Sequence, residues 1–262
     1  AADLYQPAVV EAPEYVPAVV SGWYLRGDIG MSNQKLDGGL YNALFDTTDI
    51  VEFLNPGEFS SAPTFQVGVG YQLNHWLRTD LTAQYRGGSE FSALDRYETT
   101  DDSDPTTFDG TNDYTAKKSE MLLMANAYVD MGTVSGITPY VGAGIGASRN
   151  TISNFTDVNV PVAGVGYGAT HSEWHLAWAL HAGVGFEVND RLTLDLGYSY
   201  LHLGDASSGD MIAYDGTNTL YNPMVFNDIR SHDIRVGLRY KFGGGAKPAP
   251  AVYQPDPLPV YK

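Results

Sequence analysis

Between residues 22 and 242 the chain alternates apolar and polar positions with a period of two, in eight separate segments. The first, GWYLRGDIGM, sets Trp23, Leu25, Gly27, Ile29 and Met31 on one face against Tyr24, Arg26, Asp28 and Gly30. Phe65, Val67, Val69, Tyr71 and Leu73 likewise oppose Gln66, Gly68, Gly70 and Gln72. Leu77, Leu81, Ala83 and Tyr85 oppose Arg78, Asp80, Gln84 and Arg86. The pattern recurs over residues 120–130, 137–146, 174–187, 192–200 and 233–242. Alternation sustained over such runs predicts half-buried β-strands, so the expected fold is all-β with eight strands.

The charges divide by face. The apolar face of all eight segments carries none, whereas the other face holds Arg26, Arg78, Arg86, Arg235, Arg239 and Lys241 against Asp28, Asp80, Glu120, Asp130, Glu187, Asp195 and Asp233. A soluble sandwich would turn that face to water. A membrane barrel would turn the apolar face to lipid and pair the charges in a narrow interior. Alternation fits both, and the connections separate them. Those after strands two, four and six are short (Asn74 to Trp76, Gly132 to Gly136, Asn189 to Arg191). The other four run to roughly 25 to 33 residues each, a length seldom tolerated even once in a compact soluble domain. Tight turns alternating with long connections are the layout of an outer-membrane barrel.

Aromatic positions agree with that layout. Trp23, Tyr71, Phe186, Tyr240 and Phe242 fall at one end of the strands, and Tyr85, Trp174, Tyr198 and Tyr200 at the other. Two such girdles suit rings that settle at the headgroups. The expectation is an eight-stranded antiparallel transmembrane up-and-down β-barrel over residues 22–242. Flanking it are a Pro-rich segment, 1–21, and a Gly/Pro-rich tail, 243–262, both extended and both periplasmic because the strand number is even.

Composition narrows the function classes. The 262 residues carry a formal charge of −16, which excludes unspecific nucleic-acid binding. With 10 Phe, 18 Tyr and 4 Trp the chain is not a disordered one, and with 0 Cys it has neither disulfides nor thiolate sites. Residues 32–61, 87–119, 148–172 and 202–231 hold most of the acidic excess and read as solvated, self-repelling loops. The densest acidic run, 95–113, lacks the spacing of a twelve-residue calcium loop, so no metal or cofactor is expected. His202, His232, Ser207, Ser208 and Asp205 are near one another in sequence but form no catalytic motif, and no enzyme is expected. Eight strands leave an interior that side chains fill, so the lumen reads as plugged, with a small porin-like channel as the alternative.

The opening strand GWYLRGDIG, the segment TPYVGAGIGA (138–147) and the terminal strand IRVGLRYKF ending at Phe242 resemble the small outer-membrane β-barrel proteins of alphaproteobacteria, an opacity-protein-like family with an OmpA-type eight-stranded barrel. The resemblance implies outer-membrane lipid and lipopolysaccharide as surroundings, and Tyr240 and Phe242 as the signal read during barrel assembly. In the family that aromatic usually ends the chain, whereas a further segment, 243–262, follows here. Members are also joined to peptidoglycan through a mature N-terminal amine. The start Ala1-Ala2-Asp3, expected of a chain whose signal peptide has been removed, makes Ala1 the attachment point on that hypothesis. The function implied is structural, linking outer membrane to wall, with the tails available to neighbouring outer-membrane proteins. The alternative is a porin or a surface adhesin acting through the acidic loops.

Overall fold

The structure, a computed structural model, describes residues 22–42, 49–99, 108–160 and 164–242. The expectations for 1–21 and 243–262, Ala1 included, fall outside those residues. Among the described residues twelve strands form: β1 (Gly22–Tyr41), β2 (Asp49–Phe59), β3 (Ala62–Gln72), β4 (Leu77–Thr99), β5 (Gly110–Asp130), β6 (Ile137–Val160), β7 (Gly164–Gly168), β8 (His171–Glu187), β9 (Leu192–His202), β10 (Ala206–Ser207), β11 (Met211–Ala213) and β12 (Val225–Lys241).

Eight of these strands close a ring by antiparallel pairing, in the order β1, β3, β4, β5, β6, β8, β9, β12 and back to β1. The register fixes its shape. A path through directly paired residues leaves β8 at Trp174 and crosses Arg149, Met121, Tyr85, Phe65, Ile29, Val236 and Leu196. It re-enters β8 at Val184, ten residues further along. With ordinary strand rise and spacing, that stagger tilts the strands by about 40°, inside the range of closed barrels.

Burial runs opposite to that of a soluble protein. Ile29 and Val67 on the outer face are 64% and 65% exposed, whereas Arg78 and Arg86 on the inner face are fully buried (0%). An apolar exterior around a charged interior is stable only where the surroundings are themselves apolar.

The ring does not stop at the upper aromatic belt. β3 lies along residues 78–86 of β4 and β2 along residues 91–99, so the two form one wall broken at Ser60 and Ser61. β7 and β8 share β6 in the same way. β4, β5 and β6 have 23, 21 and 24 residues, about twice the 9–11 that cross a bilayer. Among the described residues, three of the four long segments expected as solvated loops (32–61, 87–119 and 148–172) are therefore largely sheet, whereas 202–231 is sheet mainly at β10, β11 and the start of β12. The reason lies in their inner positions, where the alternation continues but charge gives way to Phe91, Ala93, Tyr114, Ala116, Ile152 and Phe155, all buried. Acidic residues such as Asp113 stay on the outer face and do not oppose that burial. Irregularities mark the start of this outer head. Register shifts between Arg86 and Ser89, between Thr115 and Lys117, and between Leu36 and Gly39.

The head has its own core. Phe91 is flanked by Phe59 and Phe226, with ring centroids 5.0 and 4.9 Å away, which ties β2, β4 and β12 together. Gly57 is required at this contact: its φ is +106°, and a Cβ there would lie 2.5 Å from the Phe91 ring. Phe91→Ala should destabilise the head by about 3–5 kcal/mol, the usual loss for truncating a buried Phe. Amide hydrogen exchange should show protection falling in β2 and the outer half of β4 while the lower barrel stays protected.

Candidate functional site

The inner face carries two layers of paired charge. In the lower one Arg26 reaches Asp28 at 2.7 Å and Asp80 at 3.0 Å, bridging β1 and β4. Arg78 donates from Nε to Asp130 (3.0 Å), and its guanidinium lies between the rings of Tyr128 and Tyr140, 4.2 and 4.5 Å from their centroids. Arg239 sits 3.2 Å from Asp195. In the layer above, Arg86 pairs with Asp233 and with Glu120 (3.3 Å), and Lys118 Nζ is 2.6 Å from Glu120. Polar neighbours take up further lone pairs: Gln66 donates to Asp28, and Tyr24 and Asn126 donate to Asp80. Each ion has lost its water, and counter-charges with added hydrogen bonds are what offset that loss.

Glycines on the inner face make room for the aromatic side chains. A Cβ at Gly142 would lie 2.5 Å from Tyr128, and one at Gly183 would lie 2.5 Å from the Tyr140 hydroxyl. Above the upper charge layer the chain leaving β9 folds inward. Asn150 Nδ2 donates to the carbonyls of Leu203 (2.9 Å) and Asp205 (2.7 Å), and Ser148 also donates to Leu203. The Leu203 amide bonds the Ile229 carbonyl at 2.8 Å, and Leu203 and Ala206 are fully buried in the head's core. Paired charge below and an apolar cap above thus occupy the same axis.

Beyond the cap, the ends of β6, β7 and β11 form a groove of about 350 Å³ lined by Asp157, Asn159, Met211, Tyr214, Leu220 and Asn222. Tyr214 and Tyr221 stand out from the surface at its edge, each 73% exposed. Asp95 lies within reach and accepts hydrogen bonds from the Asn112 amide, the Asn112 side chain and the Tyr114 hydroxyl. Burial, then the neighbouring Asp95 and Asp113, push the Asp157 carboxyl up to about 7.

The residues expected to line the lumen are placed as follows. Arg26, Asp28, Arg78, Asp80, Arg86, Glu120, Asp130, Asp195, Asp233 and Arg239 face inward and join ion pairs. Arg235 faces inward and is buried, with Ser199 as its hydrogen-bond acceptor. Glu187 and Lys241 differ from expectation. They occupy the last inward positions of their strands, where the wall ends, so Glu187 is exposed and Lys241 half-buried, and neither joins the ion-pair layers. Lys118, one period before Glu120 and outside the expected strand segment, also belongs to the network. Extending the period by one step reaches it. Trp23 packs edge-on against Tyr71 (5.2 Å) and Tyr240 against Phe242 (5.4 Å), with Phe186 outward at the same end. Tyr85, Trp174 and Tyr198 point outward at the other end, with Tyr200 in phase with Tyr198. The histidines and serines near residue 205 have the following partners. His202 bonds Asp228 (2.9 Å) and stacks on Trp178, and the Ser208 hydroxyl bonds main-chain groups of Gly209 and Met224.

The raised Asp157 carboxyl makes stability depend on pH in a defined direction. The folded state holds that proton more tightly than the unfolded chain does. The head should therefore lose stability as pH rises from about 4 to about 7, with the full penalty present above about 7. Urea unfolding at pH 5.5 and 8.5 should show this slope, and Asp157→Asn should flatten it.

Comparison with known proteins agrees with this architecture. The profile described as the outer membrane protein beta-barrel domain matches residues 8–242. An uncharacterized protein of Brucella suis biovar 1 is 32% identical over 92% of both chains. A protein of Rickettsia prowazekii described as an adhesin candidate is 24% identical, covering 86% of this chain and 90% of its own. The structure of Neisserial surface protein A superposes with a TM-score of 0.46 at 16% identity, covering 85% of this chain and 99% of that one. The charged interior, the apolar outer wall and the profile match over most of the chain make this protein a member of the outer-membrane β-barrel family, resident in the outer membrane.

Proposed function

We propose that this protein is a closed outer-membrane barrel whose folded head is a surface for attachment, an adhesin rather than a pore or a wall linker. The observation that carries the reading is the head itself. β4, β5 and β6 continue well past the aromatic belt and enclose a hydrophobic core, so the outer end is a built surface. On that surface Tyr214 and Tyr221 are exposed beside a groove, with Tyr167 close by in the paired strand β7. Tyrosines of this kind supply large amphipathic contact area at low entropic loss. In this orientation the head is extracellular, and the opposite rim, where the Phe242 amide donates to the Trp23 carbonyl, is periplasmic. The relative described as an adhesin candidate supports the same reading.

Expression of the full chain in a non-adherent bacterial strain should raise attachment to a cultured epithelial monolayer. Tyr214→Ser with Tyr221→Ser should lower it several-fold at equal surface level. Attachment no greater than with an empty vector would overturn the proposal. The closed lumen predicts a second result. Purified protein in a planar bilayer should show no steady openings of nanosiemens size, and such openings would restore the porin reading.

A further inference from the structure

In the lower charge layer Arg26 engages two carboxylates, Asp28 and Asp80, and Arg235 is left without a close one. Arg26, Arg78 and Arg239 each have an acidic partner, but among the described residues Arg235 has none within 4.0 Å. It is 95% buried (5% exposed), donates from Nη1 to Ser199, and lies 3.4 Å from His181 Nδ1. His181 brings no compensating charge. The Asn126 amide is committed to Asp80 and Thr82, so Asn126 Oδ1 accepts from His181 Nε2 (3.1 Å), leaving Nδ1 of a neutral ring as an acceptor.

The remaining atoms of Arg235 point to what completes the layer. Its Nε and Nη2 have no hydrogen-bond partner, and the same holds for the Tyr140 hydroxyl and for Nη1 and Nη2 of Arg78. Arg235 Nε and the Tyr140 hydroxyl converge, with Arg78 alongside. A Cβ on Gly197 would lie 2.9 Å from both Arg235 Nε and Tyr140 Oη, and the Arg78 guanidinium rests on the Tyr140 ring. The unpartnered nitrogens are donors only, and the carboxylates of this layer are already engaged by arginines. A water molecule there would bring two more O–H groups, for which the Tyr140 oxygen is the one acceptor among these unpartnered groups. A small anion brings acceptance alone, and it sets a negative charge against Arg235, whose neighbours' carboxylates are held by Arg26, Arg78 and Arg239.

We propose that the lumen contains a structural site for a small inorganic anion of halide size, held by Arg235, the Tyr140 hydroxyl and Arg78 in the space beside Gly197. The site is independent of the adhesin reading, since it concerns the barrel's interior charge and not its head. The anion is a permanent part of the plug, completing the ion-pair layer without being conducted.

The test uses the full chain in detergent micelles at constant ionic strength, with sodium bromide replacing sodium gluconate, whose anion is too bulky for the lumen. Bromide should raise the thermal unfolding midpoint by several degrees and saturably. Crystals grown in bromide should show its anomalous scattering within hydrogen-bond reach of Arg235 and Tyr140. Arg235→Met should abolish the bromide dependence. If that variant does not assemble, Tyr140→Phe and Gly197→Ala, which remove one hydroxyl and fill the space beside the glycine, should each reduce the response. A midpoint indifferent to the exchange in the unsubstituted protein, with only water density at the site, would overturn the proposal.

Discussion

Charges that have left water must find opposite charges at short range, and the interior of an eight-stranded ring allows little choice of where. The positions available are the inward ones of neighbouring strands, at heights fixed by the register. Arg26 meets Asp80 because Arg26 is level with Gly68, which is level with Thr82 two residues further along β4. The ten-residue stagger thus determines which acids each arginine can reach. A slip of one residue would turn these groups to lipid and bring Leu25 or Leu81 inside, so the ion pairs and the register hold each other in place.

Much of the lower barrel was legible in the sequence because both of its faces are chemically extreme. An arginine in phase with aspartates, facing away from Leu, Val and Ile, has few possible surroundings. The head was harder to read. There the inner face turns apolar while the outer face carries Asp113, Glu90 and Lys117, so the alternation inverts in meaning although the period persists. Phe91, Ala93 and Tyr114, Ala116 do alternate, but amid a dense acidic composition that suggests solvation. Composition averages over both faces, whereas burial acts on one of them. Glu187 shows the opposite error, since its phase is that of a lumen residue and only its height places it at the rim.

Function is less legible than fold for a related reason. The features that specify the barrel lie on strands, where spacing predicts neighbours. The groove lined by Asp157, Tyr214 and Asn222 brings together residues from the end of β6 and from beyond β11, and no local spacing announces that they meet. The inward turn at Leu203 is similar. Its carbonyl is held by Ser148 and Asn150, more than fifty residues earlier, and it contributes to closing the lumen through contacts that only the assembled ring supplies.

The register shift between Arg86 and Ser89, facing the break at Ser60 and Ser61, has a consequence for how the protein can vary. A strand without interruption transmits any inserted or deleted residue along its whole length. Where pairing is already irregular, the extra residue is absorbed locally and the strand beyond keeps its phase. The outer head is therefore free to lengthen, shorten or change its surface from one lineage to another while the charged barrel beneath it stays in register. The surface of the head can diversify on a support that is not required to change with it.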